Sequence, residues 1–526
     1  MLRSVLDNLR GNLVLSTSLV LLVTYVVYTF IEYAARRRKM PPGPRGVPWI
    51  GNRHQVPSIK PWRRFAQWNR EYGPVTSLFL GRTPVIVLGT AQAAWDLLEK
   101  RSDIYSSRPR FIMAGEILSD NMRGLMMPAG ENWRKFRRVY HNGFHSRKAD
   151  TYRDIQSLES KLLMFQLLHE PQNFEKHIQR YAASVVVSVV YGKRIDSVDE
   201  WIVKENMDAM AYMTSLNIPG KYIVETWPWL LNLPKSLQWF RRMPEIRRQR
   251  DIKLLTHLLG DVKTRVEAGT CPPCLAADAL ENREKMGISE LQVAYTVSSP
   301  FGAGIETTAG TTLVFILAML HHPEEMRKAQ AEIDKVIGQD RMPEWNDVDS
   351  LPYVRAVINE AMRWRPVAAL GGSPHASTAD DEYNGMFIPK GTTVFANLDG
   401  IMRDPGTFPN PDAFVPGRWL PGHPLASSHP RLQLDTFDLP FGFGRRICPG
   451  QHLAGNSVFI NVTRMLWAYN FEPVDKNNLP DTWAFTNGSN SWPQSFPAKI
   501  TARSQVVQDT VEREWDAAKE ALGRWQ

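Results

Sequence analysis

Of the three cysteines in 526 residues, Cys448 has the surroundings best suited to chemistry. It lies in Phe441-Gly442-Phe443-Gly444-Arg445-Arg446-Ile447-Cys448-Pro449-Gly450, just ahead of a helical pattern that begins near Gln451. A thiolate at a helix N-terminus meets the positive end of the dipole and unpaired backbone N–H groups, and both lower its pKa. Gly442, Gly444 and Gly450 permit tight turns that aim amides at the sulfur. Such donors set how strongly a thiolate pushes charge onto a metal. Arg446, two residues before the sulfur, suits a carboxylate. Taken bare, a single cysteine is commonly a buried small hydrophobe. The spacing Phe-x-x-Gly-x-Arg-x-Cys-x-Gly fixes five positions, however, and average residue usage gives it by chance on the order of once in several thousand such chains.

Three further groups carry possible chemistry. Ala303-Gly304-Ile305-Glu306-Thr307-Thr308 sits midway along an apolar helical pattern. Gly304 weakens that helix and leaves room for a diatomic ligand, while Thr307 can donate to the Ala303 carbonyl and open the backbone ladder. An acid beside a hydroxyl can pass protons through ordered water; the bland alternative is a packed helix with an incidental threonine pair. Trp133 and Arg137 stand one turn apart, two N–H donors on one face for a carboxylate, or an amphipathic coincidence. Glu360 and Arg363 share a face in the same way, and bare of context would be a solvated salt bridge. Cys271-Pro272-Pro273-Cys274 has the spacing of half a zinc or redox site. No second pair exists, so it reads as a structural loop.

Together these stretches resemble the cytochrome P450 family of haem-thiolate monooxygenases, in its membrane-anchored fungal form, from about Pro41 to Lys499. The resemblance implies that Cys448 is the axial ligand of the iron of haem b. Phe441, Gly444 and Gly450 would shape the loop against the ring, and Arg446, Trp133 and Arg137 would hold propionates. Thiolate ligation favours O–O cleavage. Thr307 and Glu306 become the catalytic residues of oxygen activation and proton relay. Glu360 and Arg363 become a buried brace with Arg418, in Phe414-Val415-Pro416-Gly417-Arg418-Trp419, where the family usually has Glu in place of Gly417. His375 falls where relatives often place another propionate contact. The pocket would be lined by residues 106–128, 210–229, 297–303, 367–373 and 486–492.

The implied activity inserts one atom of O2 into a small apolar organic substrate, with electrons from an NADPH-cytochrome P450 reductase. The chain itself shows no Gly-rich phosphate loop between a strand and a helix. A role in secondary metabolism follows only by association. Two alternatives stand beside it: a reductase-independent haem-thiolate isomerase or dehydratase, and a non-catalytic haem-binding protein. The Glu306–Thr307 pair speaks for oxygen activation.

Positioning these groups needs a large, mostly helical core. Hydrophobic residues make up 43% and charged residues 22%, values that exclude a disordered or many-span membrane chain. A net charge of +9 is mild for the length, so nucleic acid is not an expected partner. Three cysteines exclude a disulfide scaffold. Periodicity predicts helices over 91–100, 132–144, 152–169, 176–191, 246–268, 289–321, 323–337, 353–364 and 452–469. Strands are predicted over 75–80, 84–88, 382–388 and 392–396. The fold class is mainly α with small β-sheets, a cytochrome P450 fold with one N-terminal transmembrane helix.

Leu13 to Ile31 carries no charge, and about 20 apolar residues span a bilayer. Arg36, Arg37, Arg38 and Lys39 follow the span and outweigh Arg3 and Arg10 before it. The positive-inside bias leaves the rest cytosolic, as a single-pass protein of the endoplasmic reticulum membrane in contact with lipid. Residues 41–48 read as a stiff extended spacer. The divisions are an anchor at 1–40, a monooxygenase domain at 41–500 and a helical tail at 501–526. In the tail, Val507, Val511, Trp515, Ala518, Leu522 and Trp525 form a stripe that packs on the domain or meets a partner. Trp227-Pro228-Trp229-Leu230-Leu231 belongs to the core or to the bilayer surface. The sequons at Asn461 and Asn487 are expected to stay unmodified. A basic face at Arg134, Lys135 and Arg138 suits an acidic electron donor.

Overall fold

In a computed structural model, the described residues are 2–218, 221–488, 490–523 and 525, without the side chains of 2–13 and Ala426. Pro219, Gly220 and Ser489, from the expected pocket walls and the second sequon, lie outside them, as do the side chains of Arg3 and Arg10. The architecture is set by a central helix, Glu290–His321. Ser289 starts it with a capping box: its hydroxyl accepts from Gln292 N–H at 3.2 Å, and Gln292 Oε1 accepts from Ser289 N–H at 2.8 Å. The helix is apolar nearly all round, so burial must stabilise it, and 72% of its most apolar window is buried. Pro300 lies inside it and has no N–H to give the Thr296 carbonyl. Tyr140 Oη donates to that carbonyl at 3.1 Å instead.

Around this helix pack Phe174–Tyr191, Trp201–Leu216, Arg242–Glu267, Pro352–Trp364 and Gln451–Ala468. Two glycines let neighbours close in. A Cβ on Gly302 would come within 2.5 Å of the Met210 sulfur, and one on Gly304 within 3.0 Å of Val186. The helix Trp201–Leu216 was not expected from the pattern, because its apolar residues follow no clean stripe. Pro61–Tyr72 was also missed, although Pro61 at its first turn is a starting signal.

A four-stranded sheet runs in the order β1 (Val75–Leu80), β2 (Thr83–Leu88), β6 (Thr393–Ala396), β3 (His375–Ala376). β2 and β6 are parallel, and the other pairs antiparallel; His375 faces Val394 in the register. The stretch 382–388, expected as one strand, is a hairpin of β4 (Asp381–Tyr383) and β5 (Met386–Ile388) turning through left-handed Asn384 and Gly385. A last pair, β7 (Tyr469–Glu472) and β8 (Lys499–Ala502), precedes the tail. Residues 91–100 are α-helical only over Ala91–Ala94 and widen to a π turn at Trp95–Glu99.

The N-terminal helix runs from Leu2 to Lys39, well past the uncharged stretch. Its window Val14–Lys39 is long and apolar enough to cross a membrane and is 6% buried. The spacer reading is corrected: the chain after Lys39 is bonded to β1, with Ser77 N–H donating to the Pro42 carbonyl at 2.9 Å. The tail helix, Gln505–Gly523, lies on Arg153–His169, with Val507 and Val511 fully buried and Lys161 paired to Glu514 at 2.8 Å. The Trp227 stretch is split, Leu230 being buried and Trp229 60% exposed. Asn461 is fully buried within its helix.

Candidate active site

The loop before Gln451–Ala468 is closed by Cys448 N–H donating to the Phe441 carbonyl at 2.8 Å. Gly442 and Gly444 have φ of 88° and 55°, and a Cβ on Gly444 would lie 2.2 Å from the Leu98 carbonyl oxygen. Gly442 is required by its left-handed backbone and Gly444 also by the loop's close approach to the Trp95–Glu99 turn. Gly450 is different. Its φ of −88° suits any residue, and its missing Cβ leaves space 4.0 Å from Cys448 Sγ. Phe443 is buried and Phe441 half-buried.

Cys448 is half-buried. Burial pushes its thiol up, against the opposing pull of Gly450 N–H and the Arg137 charge. The lowering expected of the helix terminus is present in the Gly450 amide but is not the net result. Gly450, not the cysteine, caps the helix, and loss of water outweighs the amide.

Arginines surround the loop. Arg446 donates to the carbonyls of Ser106 (2.7 Å), Met127 (2.7 Å) and Gly124 (3.3 Å), and its guanidinium lies 4.1 Å from the Trp133 ring centroid. Arg137 donates to the Ile447 carbonyl at 2.8 Å. Arg108, which the sequence did not single out, is buried and donates to the Ser373 carbonyl at 2.6 Å. Nothing in its local pattern separated it from Arg110, which sits on the surface and pairs with Glu116. Burial lowers all three guanidiniums, and Arg108 and Arg137 lower Arg446 further. None of the three has a carboxylate partner among the described residues. Such a cluster fits a group carrying two carboxylates.

His375, at the start of β3, donates through Nδ1 to the Tyr105 carbonyl at 2.8 Å. Burial first, then Arg108, holds it well below the usual imidazole range. In the neutral form that this direction favours, with Nδ1 donating, Nε2 is an acceptor.

In the central helix Thr307 Oγ1 donates to the Ala303 carbonyl at 2.8 Å, without breaking the helix. Ala303 is exposed, and Glu306 and Thr307 are half-buried, in an otherwise mostly buried element. Gly304 instead abuts Val186, so the open position is Ala303 and not the glycine. Glu306 Oε2 accepts from Asn490 Nδ2 at 3.2 Å; burial raises the carboxyl and Asn490 opposes it. Asn490 lies in the expected wall 486–492, and no local pattern marks it as a partner of Glu306.

Glu360 and Arg363 are fully buried and Arg418 is 2% exposed. Glu360 accepts from Arg363 at 2.7 and 2.8 Å, Arg418 at 3.1 Å, Trp419 Nε1 at 3.0 Å and Val415 N–H at 2.9 Å. Arg363 also donates to the carbonyls of Met402, Pro411 and Ala413. A Cβ at Gly417 would touch nothing, so the departure there leaves these contacts alone.

Four of the expected wall segments meet the central helix or one another. Met210 lies on Gly302, and a Cβ on Gly310 would meet Trp492 at 2.9 Å and Val367 at 3.3 Å. Glu225 accepts from the N–H groups of Ile112 (3.1 Å) and Met113 (2.8 Å), joining two walls. The apolar cluster there is rich in methionine: Met113, Met126, Met210 and Met213.

A sequence profile of the cytochrome P450 family matches residues 41–492. Cytochrome P450 monooxygenase 58 of Postia placenta is 40% identical over 478 residues, covering 89% of this chain and 90% of its own. A cytochrome P450 monooxygenase of Armillaria gallica is 36% identical over 508 residues, 95% and 96% of the two chains. Cytochrome P450 monooxygenase fogE of Aspergillus ruber is 34% identical over 520 residues, 97% and 96% of the two chains. With a profile spanning most of its length and relatives matched nearly end to end, this chain belongs to the cytochrome P450 family of monooxygenases.

Proposed function

We propose that the protein is an endoplasmic-reticulum monooxygenase, fed singly with electrons by an NADPH-dependent flavoprotein reductase, that hydroxylates or otherwise oxidises a small apolar organic substrate in fungal secondary metabolism. The observation that carries the reading is the gathering of Arg108, Arg137 and Arg446, none paired with a carboxylate among the described residues, around the loop that presents Cys448. One sulfur and three cations suit haem b and its two propionates. When bound, that group supplies the activation of O2, helped by the electron push of a thiolate.

The chain's own residues have separate tasks in this reading. Cys448 would hold the iron, with Gly450 N–H tempering the sulfur's charge. Arg108, Arg137, Arg446 and the Trp133 indole would hold the propionates. His375 can add a second donor only as imidazolium, a form that a propionate favours and Arg108 opposes. Glu306 keeps a proton to higher pH than a surface glutamate and Thr307 offers its hydroxyl one residue on, a path for delivering protons. The Glu360 network would brace the core on which the site rests. Met210 and Met213 give an apolar, adaptable wall that suits an apolar substrate. The exposed Arg134 and Arg138 suit an acidic reductase face.

The test is reconstitution with a reductase, NADPH and O2 over a library of apolar compounds. One oxygenated product per NADPH and O2 is expected. Product formed at full rate without NADPH would assign the protein to the isomerase class instead.

A further inference from the structure

The anchor helix reaches into the domain. Arg37 donates through Nη1 to the Ser77 carbonyl at 3.1 Å and Ser77 Oγ at 2.7 Å, and through Nη2 to the carbonyls of Pro44 (3.1 Å) and Gly43. Ser77 binds the same stretch from the other side, its hydroxyl donating to the Pro41 carbonyl at 2.5 Å. A Cβ on Gly43 would lie 2.0 Å from the Ser77 carbonyl oxygen, so only glycine permits this approach. One turn earlier, the Tyr33 and Phe79 rings stand 4.9 Å apart, and Glu32 bridges Arg36 (2.7 Å) and Arg82 (3.1 Å).

A cation that serves only to orient a span needs water or lipid phosphate around it. Arg38 and Lys39 are exposed and answer that description, and exposed Arg36 pairs with Glu32 of its own helix, whereas Arg37 is half-buried among acceptors of the domain. Beside this junction, Val47, Trp49 and Ile50 are 46%, 40% and 38% exposed. Trp49 has a φ of 65°, a conformation that bulky residues adopt only under constraint. Arg53 donates to the Lys221 carbonyl at 3.3 Å, which sets this turn beside a segment whose Ile223 is 41% exposed.

We infer that Arg37 is a positioning residue that locks the membrane helix to β1, so that the domain is held at one angle with the Val47–Ile50 turn and Ile223 against the lipid surface. The inference rests on the reading that residues 13–31 cross a bilayer. The full chain with its haem, in phosphatidylcholine nanodiscs, is exposed to trypsin, which can cut after Lys39 and Arg45. Wild type should release the domain slowly. Arg37→Lys keeps the charge and the topology but not the two-pronged contact, and should release it about tenfold faster, as loss of a charge-assisted hydrogen bond would give. Linear dichroism of the haem in oriented bilayers should fall in the variant as the angle spreads. Equal release rates, or an unchanged dichroism, would overturn the latch while the chain still resists an alkaline carbonate wash. Extraction by that wash would instead remove the spanning reading, and the inference with it.

Discussion

Glu306 and Asn490 stand 184 residues apart in the chain, and Asn490 Nδ2 donates to Glu306 Oε2 at 3.2 Å. This bond ties the middle of the central helix to the turn before β8. It also tunes the acid, since burial raises the Glu306 carboxyl and Asn490 restrains the rise.

The sign of the pH dependence follows. Glu306 stays protonated above the ordinary glutamate range, so product formed per NADPH should fall as pH rises through its pKa. Asn490→Ala removes the restraint and should shift that fall to higher pH. Glu306→Gln should erase the transition and slow oxygenation roughly 100-fold, near the low end for proton transfer. A pH profile that is the same in all three proteins would remove Glu306 from the relay.

Thr307 adds a hydroxyl next to that acid. Thr307→Ala should divert NADPH into hydrogen peroxide, measured as peroxide released per NADPH consumed, and Thr307→Ser should restore most coupling. Full coupling in the alanine variant would contradict the assignment.

Arg108, which has no carboxylate partner among the described residues, is expected to hold a propionate. Arg108→Gln should weaken haem binding by about 1.5–3 kcal/mol, the worth of a hydrogen bond to a charged group, or roughly 10- to 150-fold in affinity. Arg110→Gln, at the surface beside Glu116, should change it little. Haem transfer to apomyoglobin measures both, and equal losses would sink the distinction.

Glu360 compensates two buried guanidiniums. Glu360→Gln leaves Arg363 and Arg418 without their counter-charge, at a cost of about 3–5 kcal/mol. The folded, haem-binding fraction should drop sharply at a temperature wild type survives, as followed by Soret absorbance during heating. Unaltered heat resistance would mean that the surrounding carbonyls suffice.

The parts of this molecule readable in the sequence are those with local signatures. The central helix declares itself through length and apolarity. The Cys448 loop declares itself through fixed spacing. What was hidden depends on tertiary contact. Arg108 and Arg110 look alike in sequence, and only the pairing of Ala376 N–H with the Ser107 carbonyl at 2.9 Å puts the first one inside. The rise of the Cys448 thiol was misjudged because the dipole is local and legible, whereas burial is not. The 41–48 stretch looked like a spacer because proline spacing shows stiffness and says nothing of Ser77, the residue it binds.

The central claim is that Cys448 ligates haem iron. The most direct measurement is the carbon monoxide difference spectrum of the reduced full chain, set beside that of Cys448→Ser. Wild type should give the red-shifted Soret band of a thiolate-ligated haem, and the serine variant should lose it. A wild-type spectrum with the band of a nitrogen-ligated haem, or a serine variant that keeps the red-shifted band, would contradict the account.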